Sequence, residues 1–176
     1  TAKKRIARWA AEMVQDGDSV LLDSSSTVFH IASFLLDRSN LTVITNGIEV
    51  AYALAENPTH TIILIGGVLR PDRALTVGHL GEQILENLHI KTALVSCSGF
   101  SVETGLTQVD IQEAQLKSRM IESAERVVGL IDSTKFGKVD LTPFATVEQV
   151  SHILTDSDLA PRYIDDLRQT SANLTV

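Results

Sequence analysis

A chain of 176 residues with 15 Lys and Arg against 22 Asp and Glu has a net charge of −7, with 44% hydrophobic residues and 21% charged. That apolar content argues against disorder, and the length favours one domain with a substantial core. Lys3, Lys4, Arg5 and Arg8 stand together with no acid among them, leaving the remainder with twice as many acids as bases, a surface that repels nucleic acid.

In chain order, Ile6, Ala10 and Met13 share one helical face with Trp9 beside them, and Asp16-Gly17-Asp18 is a stop-and-turn signal. This opening segment is amphipathic and basic, unlike a signal-peptide core. Short β-branched runs follow at 20–22, 42–45, 61–65, 93–95, 127–131 and 152–154. Between them, apolar residues recur at helical spacing: Phe29, Ala32, Phe34 and Leu35; Ile48, Ala51, Tyr52 and Ala55; Leu80, Ile84, Leu85 and Leu88; Ile111, Ala114, Met120, Ile121 and Ala124. Asp110 with Glu113 predicts a capping box at the start of the last of these helices. Residues 137–143 read as a loop, and Pro161 opens a short final helix. Strands apolar on both faces and separated by helices predict an α/β fold, a mostly parallel sheet with helices on both faces. No repeat or interdomain linker interrupts residues 1–176, which read as one domain.

Polar and small residues collect after the predicted strands: Asp23-Ser24-Ser25-Ser26-Thr27, Thr45-Asn46-Gly47, Gly66-Gly67 with Arg70 beyond, Ser96-Cys97-Ser98-Gly99, and Asp132-Ser133-Thr134-Lys135. All lie at strand carboxyl ends, the edge where open parallel sheets bind ligands. The serine-rich segment offers hydroxyls and backbone N–H groups to a phosphate, or one of its residues is an ordinary N-cap and the others face water. It lacks the spacing of a nucleotide P-loop. Arg70 is either a forked contact to an anion or a solvated arginine. Lys135 is either a ligand contact or a surface partner of Asp132. Glu113 and Lys117, four apart, read as a surface pair.

Cys97 is the only cysteine, which excludes an internal disulfide, suits a reducing cytoplasm, and reads as packing rather than a nucleophile. The histidines at 30, 60, 79, 89 and 152 have no metal-ligand spacing. No apolar run is long enough to span a bilayer. We expect no metal, no cofactor, no membrane partner and a cytoplasmic location.

The strings Asp23-Ser-Ser-Ser-Thr27, Ile44-Thr-Asn-Gly47, Ile65-Gly-Gly-Val-Leu-Arg70, Val77-Gly78, Ser98-Gly-Phe100, Thr104-Gly-Leu-Thr107 and Leu130-Ile-Asp-Ser-Thr-Lys-Phe-Gly137 occur in the order seen in a known family. Together they resemble the C-terminal sensor domain of DeoR/GlpR-type bacterial transcriptional repressors. The resemblance implies a fold like ribose-5-phosphate isomerase and a phosphorylated sugar or related metabolite as inducer. It also implies operator DNA contact through an N-terminal helix-turn-helix domain that this chain lacks; a homo-oligomer is expected. By position it makes Asp23 to Thr27 the phosphate or sugar loop, Thr45 to Gly47 and Gly66-Gly67 its neighbouring walls, and Arg70, Lys117 and Lys135 polar contacts; Ser98, Gly99 and Asp132 complete the candidate set. The chain departs from the family at Ser25, where Gly is frequent, at Val28, at Lys91 and at Ser96. If position 25 needs positive φ, serine there is strained. The rivals are a sugar-phosphate isomerase on the same fold, with Asp23, Glu103, Glu113 or Asp132 as base, and an oligomerisation domain that senses nothing.

Overall fold

A computed structural model describes residues 1–176. Its centre is a seven-stranded parallel sheet in the order β12-β11-β9-β6-β1-β2-β3. The strands are β1 (Ser19–Leu22), β2 (Thr42–Thr45), β3 (Thr61–Leu64), β6 (Ile90–Val95), β9 (Ala124–Leu130), β11 (His152–Leu154) and β12 (Asn173–Thr175). The first six of these in chain order grow from the β-branched runs. β12, three residues at the sheet edge, carries no such run.

Successive side chains of a strand point to opposite faces, so an all-apolar strand feeds two cores. Val20, Leu22, Val43, Leu94, Val128 and Leu130 pack with Ile6, Ala10, Val28, Leu35, Val50 and Leu54 on one face. These come from α1 (Ala2–Glu12), α2 (Ser26–Phe29), α3 (Ala32–Leu35) and α4 (Ile48–Leu54). Leu21, Ile44, Ala93, Val95, Val127 and Ile131 pack on the other face with Leu85, Leu116, Met120 and Ile121, from α5 (His79–Glu86) and α6 (Ile111–Glu122). The helix expected around Phe29 to Leu35 is two single turns, α2 and α3, rather than one. α7 (Pro161–Arg168) starts with its proline in the first turn, as predicted.

Two small antiparallel pieces ride on this layer. β4 (Val68–Arg70) and β5 (Leu75–Val77) form a hairpin, while β7 (Gly99–Ser101), β8 (Gly105–Gln108) and β10 (Thr142–Ala145) form a three-stranded sheet. Gly67, with a φ of 145°, starts the hairpin where any Cβ would strike the Val77 carbonyl oxygen. The hairpin is stitched to the end of β2: Ile48 N donates to Ala74 O at 2.8 Å and Thr76 N to Asn46 O at 3.0 Å. Strand order reverses between β1, which continues to β2 on one side, and β6, which starts the other half. The carboxyl ends of these two strands therefore mark the crevice where such sheets bind ligands. No helix is long and apolar enough to cross a membrane.

Candidate functional site

Asp23 leaves β1 at that crevice and is fully buried. Its Oδ1 accepts from Ser25 N at 2.9 Å, and its Oδ2 accepts from Ser96 N at 2.8 Å and Lys117 Nζ at 2.9 Å. Lys117, on α6, also donates to Ser96 O at 2.8 Å and lies over the Phe144 ring. A buried ion pair thus ties β1, β6 and α6 together. The sequence reading of Glu113 and Lys117 as a surface pair is incorrect. Both are buried, and each has a partner elsewhere, because they sit on the inward face of α6.

Glu113 follows its N-cap Asp110, whose Oδ1 accepts from Glu113 N at 3.0 Å. Only this half of the expected capping box forms. The Glu113 carboxylate turns away, with Oε1 bonded to Arg73 and Oε2 accepting from Gln108 Nε2 at 2.8 Å. Gln108 Oε1 is buried without a partner.

The serine loop lies above the Asp23–Lys117 pair. Ser25 has a φ of −70° and caps α2, accepting from Val28 N at 3.2 Å. Positive φ is not needed there, so serine in place of the family's glycine carries no strain. A side chain at Gly47 would bring its first carbon to 3.2 Å from Ser24 Cα, so glycine lets the β2–α4 turn close on the loop. Ser24, Ser25, Ser26, Phe29, Gly47, Glu49, Val50, Arg73 and Ala74 line a cavity of about 360 Å³. A second, of about 170 Å³, is lined by the same three serines with Arg73, Cys97, Ser98, Gln108, Glu113, Lys117 and Lys135.

The candidate residues divide into three groups. Ser24, Ser25, Ser26, Gly47, Ser98, Lys117 and Lys135 line these cavities. Asp23, Thr27, Thr45, Asn46, Gly99 and Asp132 stand behind them as buried supports. Thr45 Oγ1 accepts from Gly47 N at 3.0 Å, Asn46 Nδ2 donates to Thr76 O at 3.0 Å, and a Cβ at Gly99 would lie 2.6 Å from Lys138 O. Asp132 accepts from Thr134 N at 3.2 Å and so shapes the turn that carries Lys135. It is not paired with Lys135. Gly66, Gly67 and Arg70 border neither cavity. Arg70 points outward to Asp110 Oδ2 at 3.4 Å and Gln112 Oε1 at 2.6 Å, since β4 runs along the outer side of the hairpin.

Among the lining residues, Arg73 and Gln108 carry no site signal in the sequence, and Phe29 reads there only as part of a helix. Pro71, which turns the chain through the 3-10 segment Pro71–Arg73, is the signal that places Arg73 at the hairpin tip. Lys91, one of the family departures, pairs with Asp18 at 2.6 Å at the far end of β6. Burial pushes the Cys97 thiol up to about 12, despite Lys117 nearby, which suits packing. No three His, Cys, Asp or Glu side chains are grouped to hold a metal ion.

Around the smaller cavity the charges do not cancel, while the larger one carries the exposed carboxylate of Glu49. Lys117 is paired with Asp23 and Arg73 with Glu113, while Lys135 has neither an ion pair nor a side-chain hydrogen bond.

The fold and the sequence are both similar to those of known proteins. Similar solved structures include a ribose 5-phosphate isomerase A from Methanocaldococcus jannaschii, with a TM-score of 0.55 and 16% identity over 76% of this chain and 53% of that one. That likeness speaks for the fold. Among curated relatives, the HTH-type transcriptional regulator YulB of Bacillus subtilis is 35% identical over 98% of this chain, and GolR of Listeria innocua 35% over 89%. The L-fucose operon activator of Haemophilus influenzae is 33% identical over 90%. The chain spans 67%, 62% and 64% of those three relatives' lengths. The family model for the DeoR C-terminal sensor domain matches residues 1–157, and the chain belongs to that family of transcriptional-regulator sensor domains.

Proposed function

We propose that this chain is the effector-sensing part of a DeoR-type repressor and that its effector is a phosphorylated sugar or related metabolite held in the crevice between β1 and β6. The unpaired Lys135 ammonium facing the serine loop carries this reading. It leaves one uncompensated positive charge in a recess walled by hydroxyls, which favours an anion whose remaining oxygens accept hydrogen bonds. Operator DNA is contacted by a separate helix-turn-helix segment, consistent with the acid excess of this chain outside its first helix. Effector binding biases the geometry of a homo-oligomer, provided the effector binds the two geometries unequally.

A sugar-phosphate isomerase on the same fold is less well supported. Proton abstraction needs a carboxylate with a free lone pair toward the substrate. Among the candidate bases, Asp23 is fully buried and fixed by Ser25 N, Ser96 N and Lys117, Asp132 is turned to Thr134, Glu103 lines a different recess beside Phe100 and Tyr163, and Glu113 shares its carboxylate with Arg73 and Gln108.

A panel of phosphorylated sugars screened by thermal unfolding tests the proposal. A ligand at 100 times its Kd adds about 2.7 kcal/mol, a rise in Tm of about 5–11 °C for a chain of this size. Lys135→Gln removes the rise. If no phosphorylated metabolite at millimolar concentration raises Tm, the proposal is wrong.

A further inference from the structure

The two cavities over the serine loop share Ser24, Ser25, Ser26 and one further residue, Arg73. Arg73 therefore stands on the boundary between them, with its guanidinium bonded to Glu113. It belongs to the tip of the β4–β5 hairpin and Glu113 to α6, so this ion pair straps hairpin to helix inside the crevice. A second strap, Arg70 to Asp110 and Gln112, joins the same two elements outside it.

The inner strap is asymmetric. The Arg73 side chain is 47% exposed and that of Glu113 only 3%. Released from Glu113, Arg73 remains within reach of water. Glu113 keeps the 2.8 Å bond from Gln108, and its place in the first turn of a 12-residue helix favours its charge. Neither partner is left as an isolated buried ion. The hairpin tip is also in an uncommon conformation. Ala74, next to Arg73, is left-handed with φ 49° and ψ 46°, a cost that persists only while neighbouring contacts hold it.

A guanidinium binds a phosphate with the same forked geometry as a carboxylate. Resting on the reading that the serine loop and Lys135 hold a phosphate, we propose that Arg73 exchanges partners, leaving Glu113 for the bound anion and freeing the hairpin tip from α6. Arg73 is then both a ligand contact and the element that reports occupancy. The exchange converts a charge bound between two β-strands and a helix into movement of the hairpin tip.

Hydrogen exchange over residues 71–77 of the whole chain tests this, in inorganic phosphate and in chloride of equal ionic strength, with phosphate affinity and Tm measured alongside. In the unmodified protein phosphate speeds exchange at these amides. In Glu113→Gln the same amides exchange fast without phosphate, and phosphate binds more tightly, on the order of tenfold, because its competitor has lost its charge. In Arg73→Gln phosphate binds more weakly and no longer changes the exchange. Unchanged exchange in Glu113→Gln overturns the proposal. So does a phosphate that raises Tm while leaving exchange unaltered, although the sensor reading then stands. If phosphate alters neither Tm nor exchange, the exchange of partners by Arg73 falls, and the phosphosugar screen decides the sensor reading.

Discussion

Replacing Lys117 by Met keeps a long apolar stem in place and removes the ammonium. Asp23 is then left fully buried with two donors, Ser25 N at 2.9 Å and Ser96 N at 2.8 Å, while Ser96 O loses its 2.8 Å partner. Breaking a buried pair from one side costs about 3–5 kcal/mol. The surviving amide bonds put this case at the lower end, about 3 kcal/mol. With a urea slope of about 2 kcal/mol/M, the midpoint falls by about 1.5 M, and Tm falls by about 6–12 °C. Adding Asp23→Asn to Lys117→Met recovers part of the loss, because the double variant buries no charge. A loss below about 1 kcal/mol in the single variant would show that the carboxylate reaches water, and would refute this account of the crevice.

Arg70→Ala leaves ligand affinity unchanged and costs about 0–1 kcal/mol in urea unfolding, since its half-exposed pair with Asp110 lies outside both cavities; a large loss of affinity would place Arg70 back in the site. Cys97 resists thiol reagents at pH 8 in the folded protein and reacts on unfolding, because a thiol pushed up to about 12 is ionised in about one molecule in ten thousand at that pH. Asp156→Asn flattens the acid limb of the stability curve. Burial works to raise the Asp156 value, but the bonds from Ser133 and Asp158 outweigh it and hold the carboxyl below its ordinary 3.8. Its stabilisation is present above pH 3.8 and lost as pH falls through the lower folded value, so the unmodified protein weakens more steeply below pH 3.8 than the variant.

The β-branched runs were enough to read the inner strands of the sheet and the crevice at their carboxyl ends. They were not enough for β4, β5, β7, β8 and β10. These are three or four residues long and antiparallel, and their pairing depends on turns such as Gly67 and Pro71 rather than on periodicity. On α6, the apolar spacing and the buried face differ. Ile111, counted as core, is 52% exposed, while Glu113 is 3% and Lys117 4% exposed. Spacing alone shows that 113, 117, 120 and 121 share a face, so the apolar stripe contains two charges. Residue type hid this, because a charge four residues from its opposite reads as a surface pair. Their burial depends on partners that the fold brings from residues 23, 73 and 108. Arg70 and Arg73 differ by three positions, and only the course of the hairpin decides which one faces the serines.

The Asp23–Lys117 pair also bears on strand alignment. A one-residue slip in a half-buried strand exposes its apolar side, and that penalty normally fixes the register. β1 and β6 are apolar on both faces, so a slip between them exchanges one apolar side chain for another. The carboxylate of Asp23 on the amide of Ser96, bridged by Lys117 to the Ser96 carbonyl, fits a single alignment, the one pairing Leu22 with Leu94. The polar group at the crevice thus acts as the index mark from which the central strands are lined up.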